Sequence, residues 1–342
     1  MRIPFFEHIR DGERFLLAGC GGGYDIVAAI PLYCYLRQQG KTVILANLSF
    51  TRLEFTDCNE VVPGCYRVDE HSTGVPYFPE TFIHEWLSAR GESPVIYAFA
   101  KTLGVQSLRR AYQYLRERHQ LDTLVLADGG TDSLMFGDEI GTGTIVEDSL
   151  SILAAAQAGF MRSYLCAVGF GIEQYHGLDH YPCLQNMATL TKAGAYLGAQ
   201  SLAAEMAEGA AYLALVDFLN TRFSQHQSIV VNSIASAMRG EFGDFHSTAR
   251  TRGSEQFINP LMPLYWYFRL PAIAERIVYR DAVMPSETMT EFIAAFRDYR
   301  DSHPRRSRRR NKRGRCAGFC SPARGSKRCR AGAGGRRRRL CR

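Results

Sequence analysis

The sequence predicts an α/β fold of the Rossmann-like, doubly wound type, in which a mostly parallel sheet carries helices on both faces. Short and nearly uninterrupted apolar runs, typical of strands buried on both faces, alternate with longer stretches that have helical patterns. Several of these runs end in a glycine-rich or polar turn, as strands of an open parallel sheet do beside a ligand. We therefore expect a single large domain over residues 1–303.

The first elements form a βαβ unit. Residues 14–18 are an apolar strand that enters a glycine loop at 19–23, residues 24–39 have a helical pattern that ends at Gly40, and residues 42–48 are a second strand. Pro31 is expected to kink this helix or split it in two, because proline lacks an N–H donor and clashes with the preceding turn.

The alternation continues to the end of the domain, with one interruption. Residues 57–90 hold two Cys, three Pro and several aromatics, and they are expected to form an irregular insertion that is a lid or a pocket wall. Residues 259–280 are rich in aromatics and should pack back onto the body. Further strands are predicted at 94–100, 123–127, 163–169 and 227–231, and helices at 105–119, 146–158, 180–192, 202–219 and 287–299.

Charge is divided unevenly along the chain. Of the 41 Lys and Arg residues, 17 lie in residues 304–342 with no acid, which leaves 24 against 34 acidic residues in the body. The tail has no hydrophobic period and is predicted to be disordered. It is either an arm for nucleic acid or nuclear import, or an incidental extension. The acidic body is no candidate for binding nucleic acid, so only the tail could do so.

The turns after five predicted strands should meet at one edge of the sheet, because ligands of open parallel sheets bind beyond the carboxyl ends of the strands. This convergence predicts a single pocket for a small molecule. Its candidate ligand-binding residues are Gly19, Gly21, Gly22, Gly23, Asp25, Asn47, Ser49, Gly129, Gly130, Thr131, Gly171, Asn232 and Ser233.

The glycine loop at 19–23 resembles the dinucleotide-binding pattern but departs from it at two places. Tyr24 stands where the last glycine is expected, and Asn47 stands where an acid would bind a ribose hydroxyl. The sequence therefore argues against classical NAD binding. The loop either brings its backbone close to an anionic ligand at a helix start, or is a tight turn that lets helix and strand pack.

A second informative stretch, residues 128–148, contains six carboxylates within 21 residues. Clustered carboxylates repel one another unless they are solvated or compensated by a cation, and their hard oxygens suit Mg²⁺ or Mn²⁺. We predict Asp128, Asp132, Asp138 and Glu139 as metal ligands, with Asp128 and Asp132 also catalytic. The alternative is a solvated acidic loop, with Glu147 and Asp148 favouring a helix start.

Two histidines follow the predicted strand at 163–169. His176 and His180 would share one face if their segment is helical, and they could then act as acid and base or bind a metal. Gly177 weakens the helical pattern, so the alternative is two unrelated polar histidines.

These motifs together resemble one known family. Ala-Gly-Cys-Gly-Gly-Gly-Tyr-Asp-Ile at 18–26, Asp-Gly-Gly-Thr-Asp-Ser-Leu at 128–134, and the blocks at 46–51, 141–151, 242–246 and 259–268 are similar to the family called domain of unknown function 1152, over about residues 10–295. The resemblance brings no settled activity and stops before the basic tail. Residues 128–132 also resemble the Asp-Gly-Gly-Asn-Glu segment of D-glutamate cyclases, which implies a metal-assisted lyase or hydrolase acting on a small acid.

Three functional hypotheses follow, and one of them is a nucleic-acid-associated protein that acts through the basic tail. The first is an enzyme that binds a small anionic or phosphorylated metabolite at the strand ends, with Mg²⁺ or Mn²⁺ assisting a lyase or hydrolase reaction. The alternative is a non-catalytic protein that binds a nucleotide or metabolite in the same loops. Because the chain shows no signal-peptide profile and no long apolar run, we expect a cytoplasmic protein without a membrane segment.

Overall fold

Strands and helices alternate through the part of the chain that the computed structural model describes, residues 2–72, 77–172, 178, 180–222 and 226–306. In chain order the strands are β1 (Arg14–Gly19), β2 (Thr42–Ser49), β3 (Asn59–Val62), β4 (Cys65–Val68), β5 (Ile96–Ala100), β6 (Thr123–Asp128), β7 (Arg162–Ala167), β8 (Tyr196–Ser201), β9 (Gly243–Asp244), β10 (Phe257–Ile258) and β11 (Leu264–Arg269). The helices are α1 (Pro4–Ile9), α2 (Asp25–Gln38), α3 (Pro79–Ser88), α4 (Val105–His119), α5 (Ile145–Ala156), α6 (His180–Lys192), α7 (Ala207–Arg222), α8 (Ile229–Met238), α9 (Leu270–Ala274), α10 (Arg280–Val283) and α11 (Met289–Ser302). The predicted tail, from residue 307 onward, lies outside the described residues.

The main sheet has a parallel centre flanked by antiparallel strands. Its strand order among the described residues is β3-β4-β5-β2-β1-β6-β7-β11-β8. The five central strands, β5-β2-β1-β6-β7, all pair in parallel. In chain order they are the third, second, first, fourth and fifth parallel strands, so the direction of winding reverses between β1 and β6. In doubly wound sheets this reversal is the place where ligands bind.

Helices cover both faces of the sheet, as predicted. In β1, Leu16 and Ala18 pack into one apolar layer with α4 and α5, whereas Phe15 and Leu17 pack into the opposite layer with α2 and α7. Burial on both faces explains why the central strands are apolar runs without alternation. The α/β prediction with a mostly parallel central sheet is confirmed.

The segment at 57–90 is more regular than its sequence predicts. Its described parts contain the β3–β4 hairpin and α3, and β4 pairs antiparallel with β5. The prediction of an irregular insertion was therefore wrong. The hairpin strands are short and one of them is largely exposed at the edge of the sheet, so they lack the apolar run that marks the central strands.

The predicted strand at 227–231 was also wrong, because α8 begins at Ile229. The Ser228 side chain accepts a hydrogen bond from the Val231 N–H at 3.2 Å, which is a helix N-cap. Asn232 and Ser233 consequently lie inside this helix and not in a turn after a strand. The sheet is completed instead by β8 and β11, which pair antiparallel, and the helix predicted at 202–219 begins only at Ala207.

Pro31 does not split the first long helix. α2 runs from Asp25 to Gln38 with Pro31 inside it, and most of its residues are buried between the sheet and α7. An interior proline costs a helix about 3 kcal/mol, and burial of this many apolar side chains outweighs that cost. No helix in the described part of the chain is long and apolar enough to cross a membrane.

Candidate functional site

The loops that follow β1, β6 and β7 meet at the carboxyl edge of the sheet. The Cys20 N–H donates to the Ala127 carbonyl at 2.8 Å, and the Val168 N–H donates to the Asp128 carbonyl at 3.0 Å. These bonds continue the strand pairing into the loops. The turn after β1 and the turn after β6 therefore lie side by side, at the place where the winding direction reverses.

Three carboxylates from three different elements come together at this edge. Asp25 is the first residue of α2, Asp128 is the last residue of β6, and Asp148 lies in the first turn of α5. One oxygen from each carboxylate lies within 4.8 Å of the other two. Asp128 and Asp148 are both buried. We call these three residues the acidic cluster.

Backbone and hydroxyl donors fix the orientation of the carboxylates. The Gly21 N–H donates to Asp25 Oδ2 at 2.6 Å, and the Gly130 N–H donates to Asp128 Oδ1 at 2.7 Å. Asp132, beside the cluster, accepts from the N–H and the hydroxyl of Thr144 at 2.9 and 2.8 Å. The side chains are thus held in place before any ligand arrives, which lowers the cost of binding one.

Two glycines are required for the close packing around these carboxylates. A Cβ on Gly21 would lie 2.9 Å from both carboxylate oxygens of Asp148 and 3.0 Å from Asp25 Oδ2. A Cβ on Gly129 would lie 2.9 Å from Asp25 Oδ1. The glycines that suggested a ligand-binding loop therefore also make room for the acidic cluster.

Burial raises the pKa of two carboxyl groups in the acidic cluster, those of Asp25 and Asp128. Desolvation, with a further contribution from Asp132, raises the pKa of Asp25 to about 7, although hydrogen bonds from loop N–H groups oppose this shift. Desolvation and the neighbouring charges of Asp132 and Asp25 raise the pKa of Asp128 well above its usual range. Protons can offset the mutual repulsion at neutral pH, and a bound divalent cation would offset it more fully while releasing those protons.

An open cleft lies over the acidic cluster and has two connected parts. The first part is a cavity of about 360 Å³ at the cluster itself. The second is a cavity of about 630 Å³, and the two share Gly22, Asp25, Phe50 and Val230 in their walls. Ligand pockets commonly have volumes in this range.

The two parts of the cleft differ in charge. The wall of the smaller cavity holds Asp132 and Glu147 in addition to the acidic cluster. The wall of the larger one holds Arg250, His226 and the N-terminal turn of α8. A helix N-terminus favours anions, as does an arginine. The cleft therefore has an acidic end and a basic end.

Asn47 supports the glycine loop, and Ser49 is the last residue of the same strand, β2. Both side chains are buried. Asn47 Nδ2 donates to the Gly23 carbonyl and to Glu80 Oε1, both at 2.8 Å. Burial raises the pKa of Glu80 to about 7. The amide of Asn47 links the glycine loop to a carboxyl group in α3. A Cβ on Gly19 would lie 2.1 Å from Asn47 Oδ1, which accounts for a glycine there.

Asp138 and Glu139 belong to a different network. Glu139 is fully buried and pairs with Arg306 at 2.6 Å, and it also accepts from Asn186 Nδ2 at 2.6 Å. Arg306 also pairs with Asp138 at 3.3 Å. The structure does not bring these two predicted metal ligands to the cleft. Because Arg306 packs on the body, the body extends beyond the predicted boundary at 303.

The other predicted site residues that the structure describes are not among the residues that line the cleft. The His180 ring packs against that of Phe170, with centroids 5.2 Å apart, and His180 lies beside Gly171. His176 lies outside the described residues. Asn232 bonds to Asn220 at 2.7 Å, and Ser233 accepts from Gln256 at 3.3 Å. Thr131 is buried in the turn after β6.

The structure brings most of the predicted loop residues together and adds others that either had a second explanation in the sequence or were not predicted. Asp148 had an alternative explanation as a residue that stabilises a helix start, and only the position of α5 shows that it joins Asp25 and Asp128. Arg250 and His226 follow no predicted strand, so no sequence signal marked them. The predicted residues that line the cleft are Gly21, Gly22, Gly23, Asp25, Asp128, Gly129, Gly130 and Asp132; the additional ones include Tyr24, Phe50, Tyr77, Glu147, Asp148, His226 and Arg250.

Comparison with known proteins gives one match. The family model described as "Protein of unknown function (DUF1152)" matches residues 16–298, nearly the span over which the motifs resembled that family. No curated protein and no solved structure matches the chain.

Proposed function

The chain belongs to the DUF1152 family of unknown function, and we propose that it is an enzyme whose acidic cluster binds a divalent cation and whose cleft binds a small anionic metabolite. The observation that carries this proposal is the meeting of Asp25, Asp128 and Asp148, from three separate elements, at the point where the winding of the sheet reverses. Ligands of doubly wound sheets bind at that point.

The geometry of the acidic cluster fits a hard divalent cation. Its three oxygens lie within 4.8 Å of one another. Mg²⁺ holds its oxygen ligands at about 2.1 Å, so two ligands on opposite sides of the ion are about 4.2 Å apart. Small side-chain movements would therefore close the cluster around Mg²⁺ or Mn²⁺. Carboxylates from three elements leave other coordination positions for water and for a ligand oxygen.

The basic end of the cleft supports an anionic group on the metabolite. Arg250 Nη1 donates to the Gln227 carbonyl at 3.1 Å, which orients the guanidinium beside the start of α8. Arginine and a helix N-terminus are both common phosphate and carboxylate binders. A phosphorylated metabolite or a small acid would reach from this end to the cation.

The chemistry that this arrangement supports best is a metal-assisted hydrolase or lyase reaction. A bound cation would polarise a carbonyl or phosphoryl oxygen or lower the pKa of a water molecule. Asp132 and Glu147 line the same cavity. Burial raises the pKa of Glu147, which brings this carboxyl closer to the range in which it can exchange a proton near neutral pH.

A second candidate function is non-catalytic binding of a nucleotide or another planar metabolite. Tyr24, Phe50 and Tyr77 line the larger cavity, and the rings of Tyr24 and Tyr77 pack edge to face with centroids 5.8 Å apart. Aromatic rings of this kind stack against planar groups. Such a protein would be stabilised by its ligand and would leave it unchanged.

The test is thermal denaturation with Mg²⁺ or Mn²⁺ and a library of phosphorylated and carboxylated metabolites, followed by mass spectrometry of each mixture. We expect the cation to raise the melting temperature, one metabolite to raise it further, and that metabolite to be converted. Conversion would favour the enzyme, and stabilisation without conversion would favour the binding protein.

A pair of variants connects this response to the acidic cluster. Asp128→Asn combined with Asp148→Asn should abolish the stabilisation by cation, because two of three anionic ligands are lost. Asp138→Asn should retain it, since Asp138 pairs with Arg306 elsewhere. If the double variant still responds to Mg²⁺ and Asp138→Asn does not, the proposed metal site is wrong.

A further inference from the structure

A separate cavity of about 290 Å³ lies between α1, α2, the end of β8, the start of α7 and β11. It shares no lining residue with the cleft at the acidic cluster. Its volume is at the lower end of the range for ligand pockets, which limits an occupant to a small molecule. The features that bear on its occupant are the aromatic rings of Phe6, Tyr35, Tyr265 and Tyr267 and the carboxylate of Glu208.

Among the aromatic side chains of this cavity, the ring of Phe6 packs edge to face against the rings of Tyr35 and Tyr267. The ring of Phe6 contacts that of Tyr35 at a centroid distance of 5.1 Å and an interplanar angle of 66°. It contacts the ring of Tyr267 at 5.6 Å and 69°. Tyr265 is buried, and its hydroxyl donates to the Ala28 carbonyl at 3.1 Å. These contacts fix the rings in position without a ligand.

Glu208 gives this aromatic corner a negative charge. Along the described lining of the cavity it is the one carboxylate, and no Lys, Arg or His accompanies it. One carboxylate cannot supply the several oxygen ligands that a metal ion needs. Aromatic faces attract cations through their quadrupole, most strongly when the cation is poorly hydrated, as alkylated ammonium groups are.

We propose that this cavity binds a small organic cation with a quaternary or methylated ammonium group. The aromatic walls contact the methyl groups of the cation, and the carboxylate of Glu208 balances its charge. Glu208 is partly exposed, which allows a polar end of the ligand beside it to reach solvent. This site is independent of the cation and metabolite proposed for the cleft.

The test compares choline with its neutral isostere 3,3-dimethylbutan-1-ol by isothermal titration calorimetry on the full chain. We expect saturable choline binding in the millimolar range or tighter, and binding of the isostere weaker by about tenfold or more, because only the cation gains from the rings and the carboxylate. Equal binding of the two compounds, or no saturable binding of choline and tetramethylammonium, would overturn the proposal.

Two pairs of measurements assign the binding to this cavity. Glu208→Gln should weaken choline by about tenfold and leave the isostere unchanged, since one charge is removed at constant size. Tyr35→Leu should weaken choline, whereas Tyr35→Phe retains the ring and should not. Glu208 also lies in the first turn of α7, where an acid stabilises the helix. If Glu208→Gln lowers only the melting temperature and leaves choline affinity intact, that helix role is its whole contribution and the proposal is wrong.

Discussion

At the scale of single residues, the backbone of the glycine loop closely approaches the carboxylates of the acidic cluster. Gly21 donates its N–H to Asp25 and lies against Asp148, so this one residue positions two members of the acidic cluster. A side chain at this position would separate the two carboxylates. Gly21 therefore offers a way to alter the site without removing any acid.

Gly21→Ala should abolish the stabilisation by Mg²⁺ while the protein stays folded. The added Cβ would lie 2.9 Å from the oxygens of Asp148, so the carboxylates would have to move apart. Gly91→Ala is the matched control, because a Cβ there would meet nothing within 4 Å although its φ of +83° strains an alanine. Melting temperatures with and without Mg²⁺ measure both effects. An unchanged Mg²⁺ response in Gly21→Ala would contradict the assigned geometry.

Stability should fall as the pH rises towards neutrality when no cation is present. Burial raises the pKa of Asp25 and of Glu80 to about 7, so between the ordinary carboxyl range and pH 7 the folded state holds more protons than the unfolded state. Under that condition the free energy of unfolding decreases with rising pH. Denaturant titrations at pH 5 and pH 8 should show the decrease, and Mg²⁺ should reduce it.

Glu80→Gln provides the matched variant for this pH effect. Glutamine keeps the shape of the side chain and cannot ionise, so the decrease in stability between pH 5 and pH 8 should become smaller. The exposed Glu117→Gln is the surface control. A pH dependence as steep in Glu80→Gln as in the unaltered protein would show that Glu80 does not contribute to it.

At the scale of elements, α8 and Arg250 create the basic end of the cleft. Replacing Arg250 with Gln should weaken the binding of inorganic phosphate or pyrophosphate by about tenfold or more, because a charge-assisted hydrogen bond contributes about 1.5–3 kcal/mol. Arg252→Gln changes an exposed arginine two residues away and should have little effect. Titration calorimetry in the presence of Mg²⁺ compares them. Equal affinities of the two variants for the anion would show that Arg250 does not contribute to anion binding.

Elements could be predicted from the sequence where one apolar run fills a whole strand, as in β1, β2 and β6. They could not be predicted where pairing with a distant strand or a helix cap determines whether a segment is a strand or a helix. β11 pairs with β7 and β8 across the sheet, and Ser228 turns a run of β-branched residues into the start of α8. Local patterns carry no information about such distant partners.

The candidate site shows the same limit. Asp128 and the glycine loop follow strands, so their convergence could be predicted from the parallel sheet alone. Asp148 joins them only because α5 packs beside β6. Asp138 and Glu139 looked equally suitable as metal ligands in the sequence. In the structure both pair with Arg306, which lies more than 160 residues away along the chain.

At the scale of the whole molecule, Arg306 attaches the last described residues to the body. Arg306→Ala would leave the fully buried Glu139 without its cationic partner, and we expect the free energy of unfolding to fall by about 2–3 kcal/mol. Arg305→Ala, at an exposed neighbour, is the control. Denaturant unfolding of both variants tests this. Equal stabilities would mean that the pairing of Arg306 with Glu139 contributes nothing.

The arrangement of the whole sheet explains why one edge gathers so many functional groups. Reversal of the winding between β1 and β6 separates their flanking helices and opens a crevice there. α2, α5 and α8 all begin at this crevice and contribute Asp25, Asp148 and the basic end of the cleft. A cation and an anionic metabolite would thus bind between segments that are far apart in sequence.

The most direct measurement is an anomalous difference map from crystals of the protein grown with Mn²⁺. We expect a peak between the carboxylates of Asp25, Asp128 and Asp148, and no such peak in crystals of Asp128→Asn combined with Asp148→Asn. A map without a peak at this position, or with a peak at Asp138 and Glu139 instead, would show that the acidic cluster is not a site for a divalent cation.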